Sequence, residues 1–402
     1  GLGIETPAGL IVHTGDYKFD HTPVDNWPSD YAKLAEFSRR GVLALFADST
    51  NSERPGWTPS ERVIDAAFED VFAEAKGRII IASFASLVSR MQQVAKAAMR
   101  HGRKLAFVGS SMIDNAKMAR KLGYLDIPDD LLLPIDQVLN LPANEVAIMC
   151  TGSQGEPTSI MGRLSIGTNR LFDVQEGDTI VLSSHPIPGN EENVYRTINR
   201  LMERGADVIY ETIAPVHVSG HASQEEMKLL LHLVNPKYFI PIHGEMRQLK
   251  QHSKLAKMVG IPEENIAVIL NGQVIEFNNG EMRVTNVRVP ANYVFVDGSG
   301  VGDVDPVVMR ERESLARDGV VMINLTVDAT GHALRADPEI VTHGFILPRE
   351  ADELLLQARR RVADTVSRAN GNLKKDIEES VRTYLYNETR RRPVVFVTIN
   401  QA

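Results

Sequence analysis

The chain has 402 residues, more than one hydrophobic core usually spans, so two or three domains are expected. An apolar fraction of 43% and a charged fraction of 24% are ordinary for a soluble globular protein, and no stretch approaches the roughly 20 apolar residues a membrane helix needs. A net charge of −8 argues against a sequence-independent nucleic-acid coat, while leaving room for an enzyme that grips a strand through a local positive field.

In chain order, the first residues carry no basic segment followed by a cleavable apolar one. They enter directly into strand-like sequence, as a domain entered mid-fold would. Residues 3–6 and 10–13 read as short strands joined by a turn, and 43–48 as a buried strand ending on an acid. A helix over about 60–75 leads to a strand at 78–82, and a helix over about 86–101 precedes a strand at 104–108. A further strand at 145–150 ends on the only cysteine, Cys150, which excludes an internal disulfide and fits a reducing, cytoplasmic location. Strands come next at 178–182, 207–210 and 238–242, with a helix over 223–234 whose Ser223 and Glu226 form a capping box. Strands alternating with amphipathic patterns of 10–15 residues imply parallel sheets covered by helices.

Near residue 290 the texture changes. Val294 to Gly302, with Gly298 and Ser299 among its small residues, reads as a linker or exposed loop. Beyond it come strands at 319–327 and 339–343, helices over about 349–369 and 373–390, and a closing strand at 394–399. Pro393, after Arg390-Arg391-Arg392, suits a helix stop. These elements make a separate α+β domain.

Three groups of residues carry chemistry. The strongest is His217-Val218-Ser219-Gly220-His221 with Pro241-Ile242-His243-Gly244-Glu245. Histidines flanking Ser-Gly lie on a tight loop that feeds a helix N-terminus, where amides and a hydroxyl can converge on an anion. His243 comes directly after a strand, at its C-terminal end, where α/β sheets place ligands. One such histidine alone would read as an ordinary core or surface residue; three at two strand ends point to function. The second group is His13-Thr14-Gly15-Asp16 with Asp48-Ser49-Thr50-Asn51. A carboxylate at a sheet edge can bridge two cations, although either acid alone reads as a turn or cap residue. The third group is the set of small-residue loops after the central strands: Ser83 to Ser86, Gly109 to Met112, Thr151 to Glu156 and Ser183 to His185. Such loops let backbone approach a nucleotide closely.

In order, these motifs resemble the ribonuclease J family, and the resemblance covers nearly the whole chain. It implies an α/β fold: a partial metallo-β-lactamase αββα sandwich (residues 1–61 and 205–290), an inserted β-CASP α/β domain (62–204), a linker (291–304) and a small C-terminal α+β domain (305–402). It also implies two divalent metal ions, zinc foremost, with manganese or magnesium as alternatives. The substrate implied is single-stranded RNA with a 5′-monophosphate, trimmed from that end and also cut internally, in RNA processing and decay. By the same resemblance Asp16 bridges the metals and His243 is their last ligand. His221 stands beside the scissile phosphate, and Asp48 orients the metal shell. Ser86, His217, Ser219 and Gly220 fall where the family binds a nucleotide phosphate. The implied partners are a second copy, as a homodimer or homotetramer, or a paralogue in a hetero-oligomer, with no membrane.

Two departures stand out. The family's His-x-His-x-Asp-His run and a further histidine before the Thr-Gly-Asp strand are absent. The chain alone is therefore expected to be incomplete for catalysis. The central loop reads Gly109-Ser110 where an arginine is expected after the glycine. The main rival is a catalytically dead RNA-binding or scaffold protein. A small-molecule hydrolase such as a lactonase would not need the long segment 62–204.

Overall fold

A computed structural model describes the chain from Gly1 to Gln401 apart from residues 292, 298, 299, 303, 347 and 369–371. The chain divides into two compact units, Gly1–Val289 and Pro290–Ala402.

The first unit holds two larger sheets and a two-stranded hairpin. One sheet has four strands in the order Leu2–Thr6, Gly9–His13, Val42–Asp48, Tyr238–Ile242. The first two pair antiparallel through a short turn, and the others are parallel. Val42–Asp48 is apolar almost throughout because it is an interior strand covered on both faces. On one face Leu45 and Ala47 pack with Leu34, Leu230, Val234 and Ala256 of the covering helices. On the other, Leu43, Ala44 and Ile240 meet Ile275, Phe277 and Met282 of a hairpin formed by Gln273–Asn278 and Glu281–Arg288. The register pairs Asp48 with Ile242 and His13 with Phe46. Three strands therefore end at one edge of the sheet, and the turn residues at the end of each are delivered to one place.

The second sheet is wholly parallel, in the order Lys104–Val108, Val146–Cys150, Ile79–Ala82, Thr179–Leu182, Asp207–Tyr210. Its strands are short, largely apolar runs sandwiched between two cores, as parallel sheets require. The last strand lies beyond residue 204, the boundary expected from sequence, and pairs along Thr179–Leu182. A buried arginine joins the sheets. Arg90, on the helix Val88–Arg100, donates to Glu61 at 2.8 Å, to the Val216 carbonyl at 2.7 Å and to the Ser183 hydroxyl. Glu61 and Val216 flank the two points where the chain crosses between the sheets, so one guanidinium pins both crossings.

The second unit has a three-stranded sheet, with Val320–Val327 between antiparallel Glu339–His343 and parallel Val394–Gln401. Alternate residues of the central strand are buried, giving one apolar face against the helices Pro348–Arg368 and Leu373–Thr389. The latter helix ends on Arg390 in the left-handed conformation, just ahead of Pro393. In the stretch expected as a linker, Val296–Asp297 pairs with Gly300–Val301; the intervening Gly298 and Ser299 lie outside the described residues. Among the described residues no helix is long and apolar enough to cross a membrane.

Candidate metal centre

Asp48 is the anchor of the site. Its side chain is fully buried and accepts hydrogen bonds from Thr50 and His221. Its Oδ1 accepts the Thr50 amide at 2.9 Å and the Thr50 hydroxyl at 2.7 Å, while Oδ2 accepts His221 Nδ1 at 2.7 Å. His243 Nδ1 lies 3.2 Å from Oδ1 and 2.9 Å from the Thr50 hydroxyl. Burial alone would raise the Asp48 carboxyl, but the bonds from His221 and Thr50 outweigh it and hold the group below its usual range. The same contact, working against burial, raises His221 above an ordinary imidazole.

Asp16 and His243 complete the group. Gly15, at φ 60°, turns the chain after His13 so that the exposed Asp16 faces the sheet edge. His243 itself sits at φ 52°, a left-handed conformation costly for a residue with a Cβ, about 1–3 kcal/mol. Its contacts to the Thr50 hydroxyl and the Asp48 carboxylate hold it there, with its ring stacked on His221 at 5.5 Å and its Nε2 3.7 Å from Asp16 Oδ1. One ligand atom from each of Asp16, Asp48, His221 and His243 lies within 4.8 Å of the others. Two imidazoles and two carboxylates are a donor set suited to a divalent first-row ion such as zinc. With Asp48 engaging both Nδ1 atoms, the free ring nitrogens are the Nε2 atoms. This is the carboxylate–imidazole arrangement that fixes which nitrogen meets a metal. The residues fit such an ion.

Comparison with known proteins gives three matches along the chain. Residues 76–201 match the ribonuclease J beta-CASP domain, 205–268 the Zn-dependent metallo-hydrolase RNA specificity domain, and 307–402 the ribonuclease J C-terminal domain. Ribonuclease J2 of Bacillus subtilis is 40% identical, over 99% of this chain and 73% of that protein. Ribonuclease J 1 of Streptococcus pyogenes is 41% identical over 98% and 71%, and ribonuclease J of Synechocystis is 41% identical over 99% and 64%. The chain belongs to the ribonuclease J family. Its fold is accordingly α/β, with a metallo-hydrolase part, a β-CASP domain and the family's C-terminal domain.

The other residues singled out from sequence are placed unevenly. Ser219 Oγ accepts the Asn51 side-chain amide at 2.8 Å and the His221 amide at 3.1 Å, so it belongs to the same network. His217, four residues before His221, does not. Its Nδ1 is buried with no partner among the described residues. Burial first, then the charge of Arg90 and weaker effects of His185, Lys18 and Arg54, push it down to about 3. Around Gly220 a Cβ would meet nothing within 4 Å, so protein packing does not explain that glycine. Ser86 is exposed in the turn ahead of the helix Val88–Arg100, and no hydrogen bond joins it to His217 or Ser219 among the described residues. The helix Ser110–Lys121 starts directly after Gly109, so a serine opens it where the family resemblance led us to expect arginine.

Sequence reasoning missed several supports. Glu226 is fully buried and accepts three amides, from Phe19 at 2.8 Å, Thr58 at 2.7 Å and Ser223 at 2.9 Å. It thereby ties the segment after Asp16, the loop after Asp48 and the helix after His221. Asn51 and Thr58 both donate to the His221 carbonyl, at 3.0 and 2.8 Å. Behind Asp48, His252 is buried against Phe239 with Nδ1 3.0 Å from Ser49 Oγ, and burial pushes it down to about 3. The capping box was visible in the sequence; the distant partners of Glu226 and His252 leave no local pattern.

Proposed function

We propose that this member of the ribonuclease J family is a metal-dependent phosphodiester hydrolase that trims RNA 5′-to-3′ from a monophosphorylated end and also cuts internally. The observation that carries this reading is one buried carboxylate, Asp48, holding Nδ1 of both His221 and His243 beside Asp16. Two divalent ions, zinc foremost, with manganese or magnesium as alternatives, are the proposed cofactors. Asp16 and His243 are the ligands this chain contributes. When bound, such ions neutralise phosphate charge and lower the pKa of water. His221 keeps its Nδ1 proton on Asp48, so its Nε2 is the atom that gives a proton to the leaving oxygen or steadies charge developing on it. Ser219 and Gly220, with the neutral imidazole of His217 and the hydroxyl of Ser86, are the proposed contacts to the 5′-phosphate.

By the same proposal, residues 1–61 and 205–290 form the metallo-β-lactamase part, less the strand Asp207–Tyr210, which pairs into the second sheet, with 62–204 inserted and 305–402 mediating self-association or pairing with a paralogue. A cytoplasmic location belongs to this reading.

A second reading rests on the ligand count. Of the group Asp16, Asp48, His221 and His243, Asp48 is taken up by the two Nδ1 atoms and His221 serves the leaving oxygen, which leaves two ligands, whereas a catalytic zinc ordinarily takes three protein ligands plus water. On that ground the 402-residue chain alone binds RNA without cutting it. The test is native mass spectrometry of the chain with zinc or manganese, then incubation with 5′-monophosphorylated RNA, with and without a polypeptide supplying further His and Asp ligands. At most one ion and no turnover alone, with cutting once the ligands are supplied and none in His221→Ala, is the expected result. Two ions and steady nucleotide release from the chain alone overturn the split-site reading. RNA binding without cutting under every condition favours the scaffold.

A further inference from the structure

The chain's two tryptophans are both exposed, Trp27 at 74% and Trp57 at 47%. Trp57 is the outer end of a line of rings. From Tyr17 to Phe19 the centroids are 5.6 Å apart, from Phe19 to Tyr31 5.1 Å, from Tyr31 to His21 6.1 Å and from His21 to Trp57 5.5 Å. The Tyr31 and His21 rings are stacked, 21° from parallel, with the Tyr31 hydroxyl 3.3 Å from His21 Nδ1. The line begins at the metal centre, since Tyr17 is the residue after Asp16. It also ends beside that centre, because Thr58 donates to the His221 carbonyl at 2.8 Å and the Glu225 amide reaches Gly56 at 3.1 Å. The indole of Trp57 thus rides on the loop that holds His221.

Cations accompany the rings. Arg54 is exposed on the same loop, and its charge is felt at both His217 and His221. Arg62, also exposed, is fixed by its Nε on the Thr22 carbonyl at 2.9 Å, next to His21 and close to the segment bearing Trp27. Exposed aromatic faces alternating with guanidinium groups are how proteins hold single-stranded nucleic acid: bases stack on the rings and phosphates meet the charges. Protein interfaces also favour Trp, Tyr and Arg, but the regular succession of rings and cations along one line suits a strand of alternating bases and phosphates.

We propose that Trp57 and His21, backed by the half-buried Tyr31 and with Trp27 on the neighbouring segment, form a stacking platform for the bases of single-stranded RNA, whose phosphates Arg54 and Arg62 take as the strand passes the metal centre. The proposal rests on the nuclease reading of that centre and adds to it a binding surface outside the metal and phosphate residues.

Because there are only two tryptophans, their emission reports on this surface directly. The experiment uses the 402-residue chain in chelator, so that binding is read without cleavage. Its Trp27→Phe variant isolates the Trp57 signal. A short 5′-monophosphorylated RNA is titrated in, with indole emission and RNA anisotropy monitored together. Quenching of Trp57 by single-stranded RNA is expected, with little by duplex or by an abasic strand of the same charge. Trp57→Ala should weaken binding about 5- to 150-fold, the range for loss of one stacked base, and Trp57→Phe should restore most of it. Arg54→Ala should lower the slope of log affinity against log salt by about one. Binding that leaves Trp57 emission unchanged, or that the abasic strand quenches equally, overturns the platform and leaves the nuclease reading standing. Absence of any RNA binding overturns both. Concentration-dependent self-association lost in Trp57→Ala would assign the surface to a protein contact and likewise overturn the proposal.

Discussion

His217 and His221 lie on one loop, four residues apart, and the structure gives them opposite characters. His221 has a buried carboxylate on one ring nitrogen and is raised toward the charged form. His217 has a buried ring nitrogen without a partner among the described residues and is pushed down to about 3 by burial and nearby cations, so it stays neutral. The loop's chemistry is thus set by what each imidazole faces. A charged imidazole can donate to a departing oxygen, whereas a neutral one can accept from a monoester's proton or a water at its edge.

The most damaging change should be one that breaks the His221 side at its ligand group. His243→Ala removes one member of the cluster and the ring stacked on His221, and stoichiometric metal retention should be lost; native mass spectrometry reads this directly. Next is Asp48→Asn, which keeps the shape but not the charge. In the complete enzyme it should cost about 10- to 100-fold in metal affinity or activity, and the His221 pKa, measured by NMR in metal-free protein, should fall. An unmoved His221 would show that Asp48 is not its partner in solution.

The pH dependence separates the two histidines further because they carry opposite signs. The folded pKa of His217 is below its unfolded value, so the native state is disfavoured as pH falls from about 6.5 toward 3, where the unfolded chain takes up the proton first. His221 is raised, so its contribution is present below its unfolded pKa and is lost as pH rises through its folded one. In chelator, His217→Gln should therefore flatten the acid limb of a denaturant-midpoint profile, whereas His221→Gln should remove stability that is greatest on the acid side. His252, also near 3, adds to the acid limb in both variants and cancels in the difference. Mildest of all should be Ser219→Ala in the complete enzyme, a few-fold weakening of 5′-end-dependent trimming with internal cutting spared. Equal loss of both activities would show that Ser219 acts through His221 and not on the 5′-phosphate.

Much of this was legible in the sequence because the local signals were strong. Each of Asp16, Asp48 and His243 stands at the end of an apolar run that breaks into a small or polar turn, and parallel strands that stop together bring such residues to one edge. The capping box of Ser223 and Glu226 was legible for the same reason, being four residues long. What the sequence did not disclose is long-range. Glu226 reads as a cap, yet it also accepts amides from Phe19 and Thr58. Arg90 reads as the polar face of a helix, yet it is buried where three segments meet. The strand Asp207–Tyr210 was recognised, but no pattern within it tells which of two sheets it will join. Ser86 belongs to a loop motif, and a motif does not say where a loop swings.

The register that pairs Asp48 with Ile242 also bears on when the candidate metal group is assembled. Asp48 and His243 are 195 residues apart. At typical synthesis rates, about 10–40 s separate their emergence from the ribosome. For most of that interval Asp16 and Asp48 exist without either imidazole, since His221 follows Asp48 by 173 residues. A strand paired one residue out of register would turn Asp48 to the wrong face. The group of Asp16, Asp48, His221 and His243 is thus complete only once the last strand has joined its sheet.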